Sequence, residues 1–385
     1  MGLVNRWFVP HFGRTLTMLS GYRSWVLWLL VLAFWPSAIG LAQFQRWDVR
    51  EIDGRDYVTL DSFRRFYSFP TIERDSKSVT LRSATHRLEG KVGSKEFRIN
   101  QLKFILSYPL IERDGTILLS RIDLTKLVEP VLRPGRIRGN RILTTVVIDA
   151  GHGGHDSGAR SSLGLEKDFA LDTALRTREL LQRTGFQVVM TRTSDRFIPL
   201  KERARFANRF KNAIFISIHY NAGKSNSTGI ETFTLAPRYV PSTAADGPSV
   251  SDAQPMPGNV NDTENMALAT AMHSAMIKRT RFPDRGIKRA RFVVIRDTTI
   301  PAVLLECGFL SNPREARVIA SPGYRQQMAV AITRGVLNYR AAIRAQGLGG
   351  NVDASRLRLL ENMEADPSSS KPKSGGPKVL LPRGP

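Results

Sequence analysis

Three runs of apolar residues each end in a histidine or a carboxylate, and that pattern limits the folds open to this chain. They are Val146-Val147-Ile148-Asp149-Ala150-Gly151-His152-Gly153-Gly154, Ile214-Phe215-Ile216-Ser217-Ile218-His219-Tyr220-Asn221 and Val303-Leu304-Leu305-Glu306-Cys307-Gly308-Phe309. Short, near-continuous apolar runs predict strands buried on both faces. In open α/β sheets, ligands bind in the crevice outside the carboxyl ends of such strands. Polar residues at three of these ends therefore mark a candidate site.

From residue 144 onward, strand and helix signals alternate. Strands are expected over 144–149, 186–191, 213–219, 229–235, 291–295 and 302–306, and helices over 166–184, 199–211, 262–281, 313–319 and 323–344. The fold class is α/β, a mostly parallel sheet flanked by helices over 144–345, preceded by a small β-rich or α+β accessory domain over 43–134. The accessory segments alternate apolar and polar residues, as in Tyr57-Val58-Thr59-Leu60 and Thr116-Ile117-Leu118-Leu119. Short helices over Ser62–Phe66 and Arg121–Val128 each follow such a strand, so the module echoes itself. Residues 135–143 form a basic linker, and 236–262 form a Pro/Ser/Gly/Asn-rich insert, long for a loop in a compact domain. Residues 346–385 read as a flexible basic tail.

Composition bears on location and partners. The chain has 385 residues and a formal charge of +23, which predicts attraction to polyanions. Arg6, Arg14 and Arg23 precede an apolar run from Trp25 to Trp35, then Pro36 and small residues at Gly40 and Ala42. Residues 1–42 thus have the layout of a secretory signal cut after Ala42. The alternative is an uncleaved anchor, since Trp25 to Ala42 approaches the ~18–20 residues a span needs. Export makes the protein periplasmic or extracellular and argues against nucleic acid as a partner. Cys307 is the only cysteine, which excludes an intramolecular disulfide and a Cys-rich structural zinc site.

The strand-end residues suit metal chemistry. Hydrolytic zinc takes three protein ligands from His and Asp/Glu and keeps a fourth position open. His152 and His219 supply two, and Glu166, at the head of the helix after the first strand, suits the third. Glu166 equally suits a helix-capping role, because a carboxylate there is favoured by the helix dipole. His155 is a rival ligand or a substrate-facing group, and Asp156 could orient a ligand histidine through its second nitrogen. Glu306 ends an apolar strand, where a carboxylate is costly unless paired or beside a metal. Next to activated water it can serve as general base and then as acid. Cys307 points to the opposite face and is assigned to the core. His273 is assigned to packing, His86 to packing or surface, and His11 to the leader.

With these residues in place, a region from about Thr144 to Tyr339 resembles the zinc-dependent N-acetylmuramoyl-L-alanine amidase family. The motifs are Asp149 to Gly154 with Asp156, Gly158 and Ala159; Glu166-Lys167-Asp168; Thr191-Arg192-Thr193-Ser194-Asp195; Leu200 to Arg203 with Ala207-Asn208; Ser217 to Ala222; and Leu305 to Asn312. The resemblance implies zinc held by His152, Glu166 and His219, with Glu306 as catalytic carboxylate. It implies hydrolysis of the amide between the lactyl group of N-acetylmuramic acid and the L-alanine of the stem peptide. Peptidoglycan is then the partner, with acidic envelope polymers and an activator protein as further ones. Two departures, Cys307 and Asn212-Ala213, touch no proposed ligand. In some relatives an insertion occludes the zinc, which makes the insert a candidate inhibitor, surface loop or groove wall. The basic run Arg285 to Arg291 is expected just before a strand, with Arg285 and Lys288 facing the substrate; Asn221 is a further candidate for touching the substrate or supporting the ligands. The accessory domain resembles the copper amine oxidase N-terminal-like domain, but one histidine, His86, is too few for copper. The alternatives are a zinc peptidase on other envelope peptides, a non-catalytic wall-binding protein and a polyanion-binding protein.

Overall fold

The structure, a computed structural model, describes residues 47–137, 142–243 and 249–344. The expected leader and tail, the middle of the linker and part of the insert lie outside the described residues. The N-terminal strands are β1 (Val49–Ile52), β2 (Arg55–Thr59), β3 (Thr71–Asp75), β4 (Ser78–Arg82), β5 (Arg87–Lys91), β6 (Glu96–Ile99), β7 (Leu102–Ile105), β8 (Ile111–Arg113) and β9 (Thr116–Ser120). Those that follow are β10 (Thr145–Ala150), β11 (Arg160–Ser161), β12 (Gly164–Leu165), β13 (Gln187–Met190), β14 (Ala213–Asn221), β15 (Ile230–Leu235), β16 (Asp284–Ala290) and β17 (Ala302–Phe309).

The internal echo of the N-terminal module has a structural counterpart. β2 and β9 pair antiparallel, with Tyr57 beside Ser120 and Thr59 beside Leu118. Each runs into a helix whose N-cap hydroxyl accepts a backbone N–H, Thr59 from Ser62 and Ser120 from Asp123. Such caps satisfy donors that the first helical turn leaves free. With β1 and β8 these strands make a four-stranded sheet.

The other N-terminal strands do not stand apart. β3 to β7 continue the main sheet, whose eleven strands run β13-β10-β14-β17-β15-β16-β7-β6-β5-β4-β3. The portion from β13 to β16 is mixed: its pairs are parallel except β15 with β17.

Strand alternation sorts its side chains onto two faces. Val146, Ile148, Ile216, Ile218, Val303 and Leu305 share one apolar core with the helices Glu166–Arg183, Asp262–Arg279 and Pro322–Arg344. Each such buried side chain contributes on the order of 1.5–3 kcal/mol before entropy is counted. Val147, Phe215, Leu304 and Phe233 face the other way, under the shorter helices Leu200–Ala207 and Val293–Arg296. Asp149, Ser217, His219 and Glu306 have the parity of this second, thinly covered face. Cys307 has the opposite parity and is fully buried, where burial pushes its thiol up.

One expected element is corrected. The strand placed at 291–295 lies instead at Asp284–Ala290, within the basic run itself, and Val293–Arg296 is a helical turn. Val293, Val294 and Ile295 have strand-like composition, but burying Val294 and Ile295 under the second face decides their conformation. The basic side chains of β16 are compatible with a central strand because each has an acidic partner, Arg285 and Lys288 on Glu231 and Arg289 on Asp123. Among the described residues no helix is long and apolar enough to cross a membrane.

Candidate metal centre and cleft

Register gathers the site. β14 pairs with β10 so that Ile218 lies beside Ala150, and with β17 so that His219 lies beside Glu306. The chain leaves β10 through a sharp turn in which His152, Gly153 and Gly154 all have positive φ, 58° at His152. That conformation costs a non-glycine residue roughly 1–3 kcal/mol unless its surroundings hold it. Here two arginines do. Arg203 donates to the carbonyls of Ala150 (2.7 Å) and His152 (2.8 Å), and Arg192 donates to those of Ala150 (2.9 Å) and Gly151 (2.6 Å).

Behind the turn lies Asp149, fully buried and paired with Arg203 Nη1 at 2.9 Å. It also accepts from Thr191 Oγ1 (2.6 Å) and Ser217 Oγ (2.7 Å). Burial alone would raise its pKa. The Arg203 charge and the two hydroxyls outweigh burial and hold the carboxyl below the usual range.

Glu166 opens its helix as expected and is 5% exposed, yet its carboxylate points into the site. Oε1 lies 3.1 Å from His152 Nε2 and 2.9 Å from His219 Nδ1, and accepts from the Tyr220 N–H at 3.1 Å. Oε2 accepts from the Ala159 N–H at 2.7 Å. Burial opposes ionisation, but the two histidines outweigh it and hold Glu166 far below the usual carboxylate range. His152 is correspondingly raised: burial favours its neutral form, and Glu166 and Asp156 overcome that. Asp156 Oδ2 is 2.9 Å from His152 Nδ1, while its Oδ1 accepts from the Gly158 N–H. His155 packs at a tilt against Phe197, with centroids 4.1 Å apart, and is not among the grouped donors.

One donor atom each from His152, Glu166 and His219 lie within 4.8 Å of one another, so this group could hold a metal ion. Two glycines make that convergence feasible. A Cβ on Gly151 would sit 2.6 Å from His219 Nδ1, and one on Gly158 would sit 2.5 Å from Glu166 Oε2. Gly151→Ala should therefore displace the His219 ring and weaken metal binding by about 10–100-fold, the scale seen when ligand-orienting groups are lost. A competitive-chelator titration measures this, and unchanged affinity would contradict the crowding argument.

Glu306 stands over this group with Oε2 buried and unpartnered. Burial, then the charges of Glu166 and Glu231, push its pKa well up, and Lys288 opposes them. Glu231 pairs with Glu306 in register across β15 and β17 and is 4% exposed. Arg285, Lys288 (2.7 Å) and Asn221 (3.1 Å) all reach Glu231. The residues expected to face a substrate thus converge on this second carboxylate. Beside them a cleft of about 400 Å³ is lined by His152, His219, Glu306, Leu304 and Phe292.

Sequence reasoning assigned no role to Arg192, Arg203 or Glu231. Glu231 carried a usable signal, a lone carboxylate in the apolar strand Ile230 to Leu235. Arg203 carried a fainter one, since helical spacing sets it one turn before buried Ala207.

The fold and the donor group together define an α/β protein with a side-chain group that could hold a metal ion. The chain belongs to the N-acetylmuramoyl-L-alanine amidase family, whose model matches residues 146–338. It is 34% identical over 202 residues to an uncharacterized cell wall amidase of Bacillus anthracis, a match spanning 51% of this chain and 35% of that protein. It is 34% identical over 199 residues to the probable cell wall amidase LytH of Staphylococcus epidermidis, spanning 51% of this chain and 58% of the other. It is 31% identical over 218 residues to N-acetylmuramoyl-L-alanine amidase AmiA of Escherichia coli, spanning 50% and 75%. The chain therefore spans about a third of the first of these relatives and just over half of the second. The catalytic domain of CwlV, an amidase from Bacillus (Paenibacillus) polymyxa var. colistinus, is 36% identical, with a TM-score of 0.43 over 51% of this chain and 97% of that one.

Proposed function

We propose that this chain is a zinc-dependent amidase of the cell envelope. It hydrolyses the amide between N-acetylmuramic acid and the L-alanine of the stem peptide. The observation that carries this reading is the convergence of His152, Glu166 and His219 beside Glu306, whose buried Oε2 has no partner. Two imidazoles and a carboxylate are a donor set suited to hydrolytic zinc, and the unpartnered oxygen marks where a reacting proton would sit.

Zinc, when bound, supplies Lewis acidity that polarises the scissile carbonyl and makes water more acidic. The chain's own residues do the rest. Arg203 and Arg192 fix the His152 turn, the Asp156 carboxylate lies against the His152 ring, and the Ala159 N–H fixes Glu166. Glu306 Oε2 takes the proton of the attacking water and returns it to the departing nitrogen. A C–O bond forms as the C–N bond breaks, leaving the lactyl carboxylate and the free amine of L-alanine. A cation on the three donors opposes the upward shift of Glu306 and favours the ionised form that a base requires. The formal charge of +23 supports retention on acidic envelope polymers.

The test is release of stem peptides from purified peptidoglycan by the chain without residues 1–42. Chelation should abolish release and stoichiometric zinc should restore it. Release that survives chelation, or restored zinc without any release, would sink the assignment. Release from unrelated peptides at equal rates would point instead to a general zinc peptidase. Deleting the 236–262 insert in parallel tests inhibition, which predicts faster release.

A further inference from the structure

The joint between the N-terminal module and the amidase sheet is buried and polar, and β15 and β16 separate it from the strand of Glu306. Phe104 of β7 pairs in parallel with Ile287 of β16. At the start of β16, Asp284 Oδ2 accepts from the backbone N–H of Lys103 at 2.8 Å. Its Oδ1 lies 2.9 Å from the Nε2 of His273, whose Nδ1 lies 2.9 Å from Thr232 Oγ1. At the far end, Arg289 Nη1 reaches back to Asp123 at 2.8 Å and also to Ser107 Oγ. The Arg289 and Asp123 side chains are 2% and 0% exposed. Asp123 is held in turn by the Ser107 and Tyr108 N–H groups and the Ser120 hydroxyl. Tyr108 Oη donates to the Tyr239 carbonyl, a further tie across the joint.

Between these two clamps lie the cations that serve the cleft. Lys288 is in register with Phe233 on the second face, and with Arg285 it contacts Glu231, the cross-strand neighbour of Glu306. Arg289, one residue on, points to the other face and into the N-terminal module. A one-residue slip of a strand exchanges its faces, so it would take Lys288 off Glu231. A buried ion pair is a poor source of net stability, and fixing register is its best-attested use.

We infer that the N-terminal module is a positioning element of the active site, with the buried Asp123–Arg289 pair setting the register of β16. That register holds Lys288 and Arg285 on Glu231 beside Glu306. The module is thereby part of the sheet that carries the chemistry, and its role goes beyond that of an appended envelope-binding domain. The catalytic part of this inference rests on the amidase reading of Glu306.

The experiment compares full-chain Arg289→Met and Arg289→Lys with the parent, using zinc content, hydrogen exchange and muropeptide kinetics. Arg289→Met should bind zinc as the parent does, lose exchange protection over 284–290, and lose about 10–100-fold in kcat with KM unchanged, the scale of a small misplacement of catalytic groups. Arg289→Lys should recover much of that loss. Adding Arg289→Met to Glu231→Gln should cost nothing further, because both act through one contact. Parental kcat in Arg289→Met, or losses that multiply in the double variant, would overturn the inference. Should Arg289→Met fail to fold, exchange in the unaltered chain decides: residues 102–105 and 284–290 should open as one unit. Opening of 102–105 alone, with 284–290 still protected, would overturn it. If the parent releases no stem peptides, the amidase reading falls, and exchange still reports whether the module and β16 move together.

Discussion

Glu306→Gln in the full chain should lower kcat on peptidoglycan by about 10²–10⁴-fold, the range that positioned acid–base groups contribute. Zinc content should be unchanged. The two effects separate because Glu306 is not among the three grouped donors, while its Oε2 is buried and unpartnered. Glutamine keeps the volume and the strand register but cannot cycle a proton. It also removes a carboxylate that Glu166 and Glu231 press upon, so the variant should fold at least as stably as the parent. Stopped-assay release of stem peptides, together with metal analysis of the same preparation, makes the measurement. Activity within an order of magnitude of the parent would remove Glu306 from the chemistry. Loss of zinc with loss of activity would instead make Glu306 part of the metal site.

Arg203→Met should cost about 3–5 kcal/mol of stability, the usual result of removing one partner of a buried ion pair. Arg203 and Asp149 are 2% and 0% exposed, so the variant leaves a carboxylate in the core with only hydroxyl partners. It also frees the His152 carbonyl, so the strained turn loses a restraint and zinc affinity should fall. The pH dependence fixes the sign. Asp149 holds its proton less tightly folded than unfolded, so its contribution is complete above the ordinary Asp value of about 4. That contribution is lost as pH falls through the depressed folded value. Denaturant midpoints of parent and variant should therefore differ most above about pH 4 and converge in acid. A gap that widens on acidification would refute the role assigned to Asp149.

Much of this arrangement was legible in the sequence, for a physical reason. A strand buried on both faces announces itself by apolar continuity, and a polar residue at its end is then conspicuous. His152, His219 and Glu306 were visible that way, and Glu166 by its place at a helix start. The helices beginning at Leu200 and Asp262 were legible because Leu200, Ala204 and Ala207, and Ala267, Ala271 and Ala275, recur with helical spacing. What remained hidden depends on partners far away in the chain. Nothing local distinguishes Arg289, buried on Asp123, from solvated arginines, since its pairing spans 166 positions. Arg203 and Glu231 carried partial local signals, but their partners Asp149, Arg285 and Lys288 are likewise distant in the chain. The mistaken strand at 291–295 has the converse cause, because β-branched composition describes a buried surface before it describes a backbone.

Strand β16 has hydrogen-bonded neighbours on both sides, β15 and β7. A shortened protein beginning at residue 144 would keep His152, Glu166, His219 and Glu306. It would also turn β16 into an outer strand, with a row of bare backbone groups and an arginine stripped of its buried counter-ion. Such a border is a template on which further copies can assemble. A soluble fragment of this protein should therefore extend beyond the region matched to its family, because the family region stops where the sheet does not.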